Sequence, residues 1–133
     1  MRHVTKEMIK IYKITNMDFM GYIQHKSRYS YHHIIKREEK GKNCISNGAI
    51  LLDKTSHDYL HVIEARDLEM YIYLNKILKE INNQGKLPSK NQIILMWNVL
   101  EQFEREHSGD SNKNGYPLIK EKYIRRNHNI ILS

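Results

Sequence analysis

The chain has 133 residues and a formal net charge of +7, and 40% of its residues are hydrophobic. This length and composition predict a single folded domain over residues 1–133 and exclude a disordered chain. The apolar runs are too short for a membrane helix, and the N-terminus lacks the apolar stretch of a secretory leader, so we expect a cytoplasmic protein that does not enter a membrane. The lone Cys44 excludes an internal disulfide and any zinc site built from several cysteines.

The positive charge is concentrated in two segments. Residues 26–42 carry six Lys and Arg side chains against Glu38 and Glu39, and residues 113–128 carry five against Glu121. Clustered cations are typical of a surface that binds nucleic acid through its phosphates, although solvated loops can have the same composition. The charge therefore favours an anionic partner, with DNA first, and leaves open whether both segments contact it.

The first part of the chain predicts a helix followed by a β-hairpin. Thr5 can cap an amphipathic helix, and Gly21 breaks the irregular link after it. The aromatic and β-branched run YSYHHII at 29–35 predicts a strand, and the charged residues 36–43 predict an exposed turn. Asn47-Gly48 is a turn or bulge signal ahead of a second, buried strand with the sequence AILL.

Three helices are predicted after the hairpin. The first begins at Thr55 or Ser56, where the sequence has the form of a capping box, and it ends near Arg66. The second has an apolar stripe and stops at Gly85, and the third begins with another capping box at Ser89. We expect the second and third helices to form an antiparallel hairpin that covers the core.

Four of the eight histidines lie within thirty residues of the sequence. His32 and His33 are adjacent in the first predicted strand, and Asn47 precedes the second strand. His57 and His61 are four residues apart on the next helix, which puts both imidazoles on one face. A hairpin packed on that helix can bring all five side chains to one corner. Because a strand points adjacent residues to opposite faces, His32 and His33 can serve one site only if the strand bends or ends there.

These residue types suit metal-assisted hydrolysis of a phosphodiester bond. Imidazole nitrogens bind zinc, nickel and similar ions, and three such ligands leave a coordination position open for a phosphate oxygen. A further histidine that is not a ligand has a pKa near neutrality and can take a proton from water. An asparagine carbonyl can accept that ring's other N–H and fix its tautomer. Taken singly, the same residues are also ordinary helix-face histidines and a turn asparagine.

The order His33, Asn47 and His57, with separations of fourteen and ten residues, resembles the HNH motif of the ββα-metal nucleases. HHII resembles the family's first strand, and NGAILLDKTSH resembles its second strand and the start of its metal-binding helix. The likeness covers residues 29–66, roughly a quarter of the chain. FEREH and PLIKEKYIRR are similar to segments of small HNH proteins from phages and bacterial mobile elements. The cysteine pairs that bind structural zinc in many members are absent.

The resemblance implies roles for these five residues. It implies that His33 is the general base and that Asn47 orients it. The implied ligands of one divalent metal ion are His32, His57 and His61. The identity of the ion stays open among zinc, nickel, manganese and magnesium, since His32 stands where many relatives have aspartate.

The resemblance also implies contacts between the basic segments and double-stranded DNA. The expected contacts are Lys36, Arg37, Lys40, Lys42, Arg125 and Arg126. The implied activity is metal-dependent hydrolysis of DNA phosphodiester bonds. The alternative is an inactive HNH-fold protein that binds DNA or acts as an adaptor or inhibitor. The target sequence is not readable, and a homodimer or a protein partner is left open.

The fold class expected from these elements is α+β. An HNH ββα-metal core over residues 29–66 follows an N-terminal helix. A helical hairpin over residues 67–108 and a basic tail over residues 109–133 complete the predicted domain.

Overall fold

The computed structural model describes residues 2–24 and 27–132, so Lys26 of the first basic segment lies outside the described residues. The chain is a mixed α+β protein, as predicted, in which helices surround a two-stranded antiparallel hairpin. The elements are α1 (His3–Ile11), β1 (Tyr29–His33), β2 (Gly48–Leu52), α2 (Ser56–Arg66), α3 (Leu68–Gln84), α4 (Lys90–His107), α5 (Glu121–Ile124) and α6 (Asn129–Leu132). Within the described ranges, no helix is long and apolar enough to cross a membrane.

The strand pairing ends at His33, one of the residues of the predicted site. His33, the last residue of β1, pairs with Gly48, the first residue of β2. A side chain at Gly48 would meet the Tyr31 ring at 2.3 Å, so this position needs glycine for close packing. β1 stops two residues earlier than the sequence predicts because the Asn47 carboxamide binds the backbone N–H and C=O of Ile35 in place of a ladder partner.

The helices cover the hairpin and form one core with it. Helix α3 packs against β2, α2 and α4, and α1 packs against both strands. All five residues of β2 are therefore buried. The turn between α3 and α4 follows the predicted signals, since Gly85 has a φ of 71° and Ser89 forms a capping box. The capping box predicted at the start of α2 does not form, because the Thr55 side chain makes no cap hydrogen bond.

A buried carboxylate fixes the start of α2. Asp18 has no exposed surface, and its Oδ1 accepts hydrogen bonds of 2.9 Å from the N–H groups of Met20 and Tyr22. Its Oδ2 accepts from the Leu52 N–H at 3.0 Å and from the Ser56 hydroxyl. Burial raises the pKa of Asp18 to about 6, although these hydrogen bonds lower it. The carboxylate thus joins the link after α1 to the end of β2 and the first turn of the helix that carries His57.

Candidate metal centre

Three imidazoles converge where β1 faces α2. His32, His57 and His61 each offer one ligand nitrogen, and these three atoms lie within 4.8 Å of one another. The ring centroids of the two α2 histidines are 5.0 Å apart, and the His32 ring lies 5.6 and 6.1 Å from them. His32 is buried, His57 is half-buried and His61 is exposed, so the cluster opens to solvent on one side. The structure therefore brings together the three side chains expected to bind the metal.

His32 is held by an asparagine of α3. Its Nε2 lies 2.8 Å from Oδ1 of Asn75, whose Nδ2 donates to the Ile34 carbonyl oxygen at 2.8 Å. Because the Asn75 amide group donates to that carbonyl, its oxygen must accept from the His32 ring. His32 is then protonated on Nε2, and Nδ1 keeps a free lone pair.

His57 is held by a serine of β1. Its Nδ1 lies 2.6 Å from Oγ of Ser30, and the Ser30 hydroxyl donates to the Leu51 carbonyl oxygen at 3.2 Å. The serine oxygen must therefore accept a proton from His57 Nδ1, which leaves Nε2 with its lone pair free. The partner of each buried ring thus fixes a tautomer with one nitrogen available for a metal, as in metal sites where outer residues orient the ligands.

The exposed ring belongs to a longer chain of contacts. His61 Nδ1 lies 3.2 Å from Oε1 of Glu64, and Glu64 also forms an ion pair with Lys36. Burial raises the pKa of Glu64, but the hydrogen bonds from Lys36 and His61 outweigh it and leave the pKa below its ordinary value. Lys36, expected at DNA, is therefore engaged with the carboxylate that orients His61.

His32 and His57 are uncharged at neutral pH. Burial lowers the pKa of His32 to about 4, and burial together with the neighbouring His61 lowers the pKa of His57 to about 4. Neutral imidazole is the form that binds a metal. Protons therefore do not compete for these two nitrogens near pH 7.

His33 borders the same cavity as the three clustered histidines. β1 ends at His33. His32 and His33 would face opposite sides of a longer strand, but here both line one cavity of about 380 Å³. His33 Nε2 contacts Oδ1 of Asn43, and Arg2 donates to the same oxygen at 3.4 Å. The Tyr31 ring meets His33 edge-on, with centroids 4.7 Å apart.

The Asn47 side chain makes its hydrogen bonds to Ile35 and Lys42 rather than to His33, which corrects the predicted partner. The Asn47 carboxamide is buried; its Oδ1 accepts from the Ile35 N–H at 2.7 Å, and its Nδ2 donates to the carbonyl oxygens of Ile35 and Lys42 at 3.0 Å. Asn47 therefore closes the loop between the strands, and Asn43 in that loop is the side chain that orients His33.

The predicted DNA contacts have different surroundings. Arg37 lines the cavity beside His33, and Lys40 and Lys42 are exposed on the same loop. Arg125 is also exposed, but the Arg126 side chain is only 3% exposed.

Arg126 is wrong as a predicted DNA contact. Its two terminal nitrogens each donate to a Glu104 carboxylate oxygen at 2.8 Å, and one also donates to the Tyr123 carbonyl oxygen. This buried pair ties the C-terminal segment to α4, so the guanidinium group has a structural role.

Some of the site residues missed by the sequence prediction had a local signal. Ser30 lies two residues before His32, on the same strand face, and Glu64 lies three residues after His61 on the same helix face. Asn75 is 43 residues from His32, and no local pattern indicates it.

No protein-family model matches the chain, nor does any curated protein or solved structure.

Proposed function

We propose that the protein is a metal-dependent DNA endonuclease with an HNH-type ββα-metal core. The observation that carries this proposal is a single cavity lined by three clustered imidazoles and by a fourth imidazole, His33, that lies outside the three-ligand cluster. A hydrolase of this kind needs three ligands, one open coordination position and a separate base.

The histidine cluster fits one divalent ion. Each ring has one nitrogen in contact with a protein partner, and one ligand nitrogen from each ring lies within 4.8 Å of the other two, close enough to share an ion. Three nitrogen ligands favour zinc or nickel over manganese and magnesium, which prefer oxygen ligands. A bound ion would polarise the phosphodiester and offset the negative charge that develops on its oxygens.

The residues of the chain supply base and substrate contacts. The Asn43 carboxamide oxygen accepts from His33 Nε2, so Nδ1 is the nitrogen left to take a proton from water. Arg2 and Arg37 line the cavity, and neither forms an ion pair with a carboxylate within the described part of the chain. Both guanidinium groups are therefore available to a phosphate, unlike Lys36, which acts through Glu64.

Plasmid nicking tests the proposal. The parent should convert supercoiled plasmid to the open-circular form with one or more of Zn²⁺, Ni²⁺, Mn²⁺ and Mg²⁺, and EDTA should stop the reaction. His33→Ala should lose the activity and His3→Ala, an exposed control, should keep it. Absence of nicking with every ion, or equal nicking by His33→Ala, would exclude the proposed activity.

A further inference from the structure

A second cavity lies at the other end of the hairpin from His33. It has a volume of about 510 Å³ and lies where the segment after α1, the turn between β2 and α2, and helix α5 meet. Its floor includes the buried side chains of Tyr22 and Leu52. Its rim includes the exposed cations Lys54, Lys122 and Arg125, and we call this cavity the basic cleft.

The basic cleft has an excess of positive charge. None of the described residues that line it is a carboxylate, and Arg125 pairs with an acid, Glu121, which lies 2.7 Å away at the surface. In the described ranges neither Lys54 nor Lys122 pairs with a carboxylate. Thr55, the N-cap of α2, also lines the cleft, so the positive end of that helix dipole adds to the potential.

The basic cleft and the metal centre lie on neighbouring parts of the hairpin and of helix α2. Thr55 precedes His57 by two residues, which is about 3 Å of helix axis. Leu52 pairs with Tyr29, the neighbour of the Ser30 that holds His57. On DNA, successive phosphates of one strand are about 3.4 Å apart along the axis. A strand with one phosphate at the histidines therefore has further phosphates within reach of the cleft.

We propose that the basic cleft binds the phosphodiester backbone of duplex DNA next to the phosphate at the metal centre. The proposal rests on the proposed function and adds Lys54 and Lys122 to the DNA contacts expected from the sequence, which already included Arg125. The cations are two exposed ammonium groups, Lys54 and Lys122, and the exposed guanidinium group of Arg125, all on flexible stems around an open rim. Such groups hold a backbone without reading its sequence.

The test is a salt titration with metal-free protein and a fluorescein-labelled duplex in EDTA, read by fluorescence anisotropy. Lys54→Gln/Lys122→Gln should flatten the slope of log K against log salt by about two units, one for each phosphate that is no longer neutralised. Lys76→Gln/Lys86→Gln, two exposed lysines of α3 and the turn after it, carries the same charge change and should keep the parent slope. Equal slopes in the two double variants would overturn the cleft proposal.

Plasmid nicking at saturating DNA separates this proposal from the proposed function. Nicking by the parent together with equal slopes overturns the cleft and leaves the nuclease intact. A flattened slope in a protein that cuts with none of the ions supports the cleft as a DNA site and removes the nuclease. Competition by millimolar inorganic phosphate that abolishes the slope difference would show a site for free anions and overturn the DNA assignment.

Discussion

Within the described part of the chain, two places gather three side chains of types that can bind a metal ion. The first is the histidine cluster, and the second is formed by Asp67, Glu106 and His107 at the junction of α2 and α3 with the end of α4. In both, one ligand atom from each side chain lies within 4.8 Å of the other two. By proximity alone the two sites are equivalent.

The two clusters differ in what their side chains already do. Asp67 caps α3 by accepting from the Met70 N–H at 3.1 Å, and His107 pairs with Asp110 at 2.7 Å and stacks on Phe103. Helix capping and packing explain that arrangement. In the histidine cluster, by contrast, all three side chains are imidazoles, and each has one ring nitrogen in contact with a protein partner. This arrangement of partners, rather than distance, is why we propose the histidine cluster as the metal site.

The largest expected effect tests this comparison directly. His57→Ala/His61→Ala removes two of the three proposed ligands. The affinity for Zn²⁺ or Ni²⁺ should fall by more than about 100-fold, which exceeds the loss expected when only an outer partner of a ligand is removed. Metal binding and cleavage should therefore both be abolished. Glu106→Gln/His107→Ala should keep one site per chain. Calorimetric titration measures both variants. A site that survives the first change and is lost in the second would reverse the assignment.

The next effect separates the base from the ligands. His33→Ala should lower the cleavage rate by about 10²–10⁴-fold, the usual contribution of a general base, because among the described residues no other imidazole outside the cluster lines that cavity. Metal affinity should equal that of the parent, since His33 is not in the cluster. The readout is single-turnover cleavage beside a metal titration. A parent-like rate would mean that another group takes the proton.

The sequence predicted the elements and the clustered histidines, because each depends on local spacing. Gly85 and Ser89 mark helix ends by their backbone preferences, and the spacing of His57 and His61 puts them on one face in any helix. The roles of Asn47 and Arg126 depend on tertiary contacts. The Asn47 side chain precedes β2 in the sequence but hydrogen-bonds to the backbone of Ile35 and Lys42 in the loop between the strands.

Arg125 and Arg126 show the same limit in one dipeptide. Both are arginines in a basic tail, and the sequence treats them alike. Of these two arginines, the structure buries only Arg126. Glu104 lies 22 residues earlier, on α4, and its carboxylate accepts hydrogen bonds from both terminal nitrogens of Arg126. Nothing local in the sequence indicates that pairing. A charged side chain is available to DNA at the surface only if it does not form an ion pair with a buried partner.

A smaller effect concerns pH and tests whether burial keeps His32 and His57 neutral. The pKa values of His32 and His57 are about 4 in the folded protein, below the unfolded value of about 6.5. Between these values the unfolded chain binds more protons, so metal-free protein loses stability as the pH falls from 6.5 towards 4. Asp18, with its pKa raised to about 6, binds a proton in the folded state first and offsets part of this loss.

The expected net loss between pH 6.5 and pH 5 is about 2 kcal/mol. Urea unfolding of EDTA-treated protein at several pH values measures it. In Asp18→Asn the offset is removed, so the loss over this range should be steeper although the variant is less stable throughout. Stability that is constant from pH 6.5 to pH 5 would mean that the two rings are not held neutral.

The smallest expected effect tests whether tautomer fixing matters at all. Ser30→Ala removes the oxygen that accepts from His57 Nδ1 and leaves all three ligands in place. His57 can then rotate or change tautomer, and loss of such an outer partner typically weakens metal binding 10–100-fold; we expect the lower end, about tenfold, because His57 is already half-buried against its neighbours. Ser46→Ala, at an exposed serine away from the cluster, should leave affinity unchanged. If both variants bind Zn²⁺ as the parent does, with equal melting temperatures, then proximity of the three rings is sufficient and the distinction drawn between the two clusters fails.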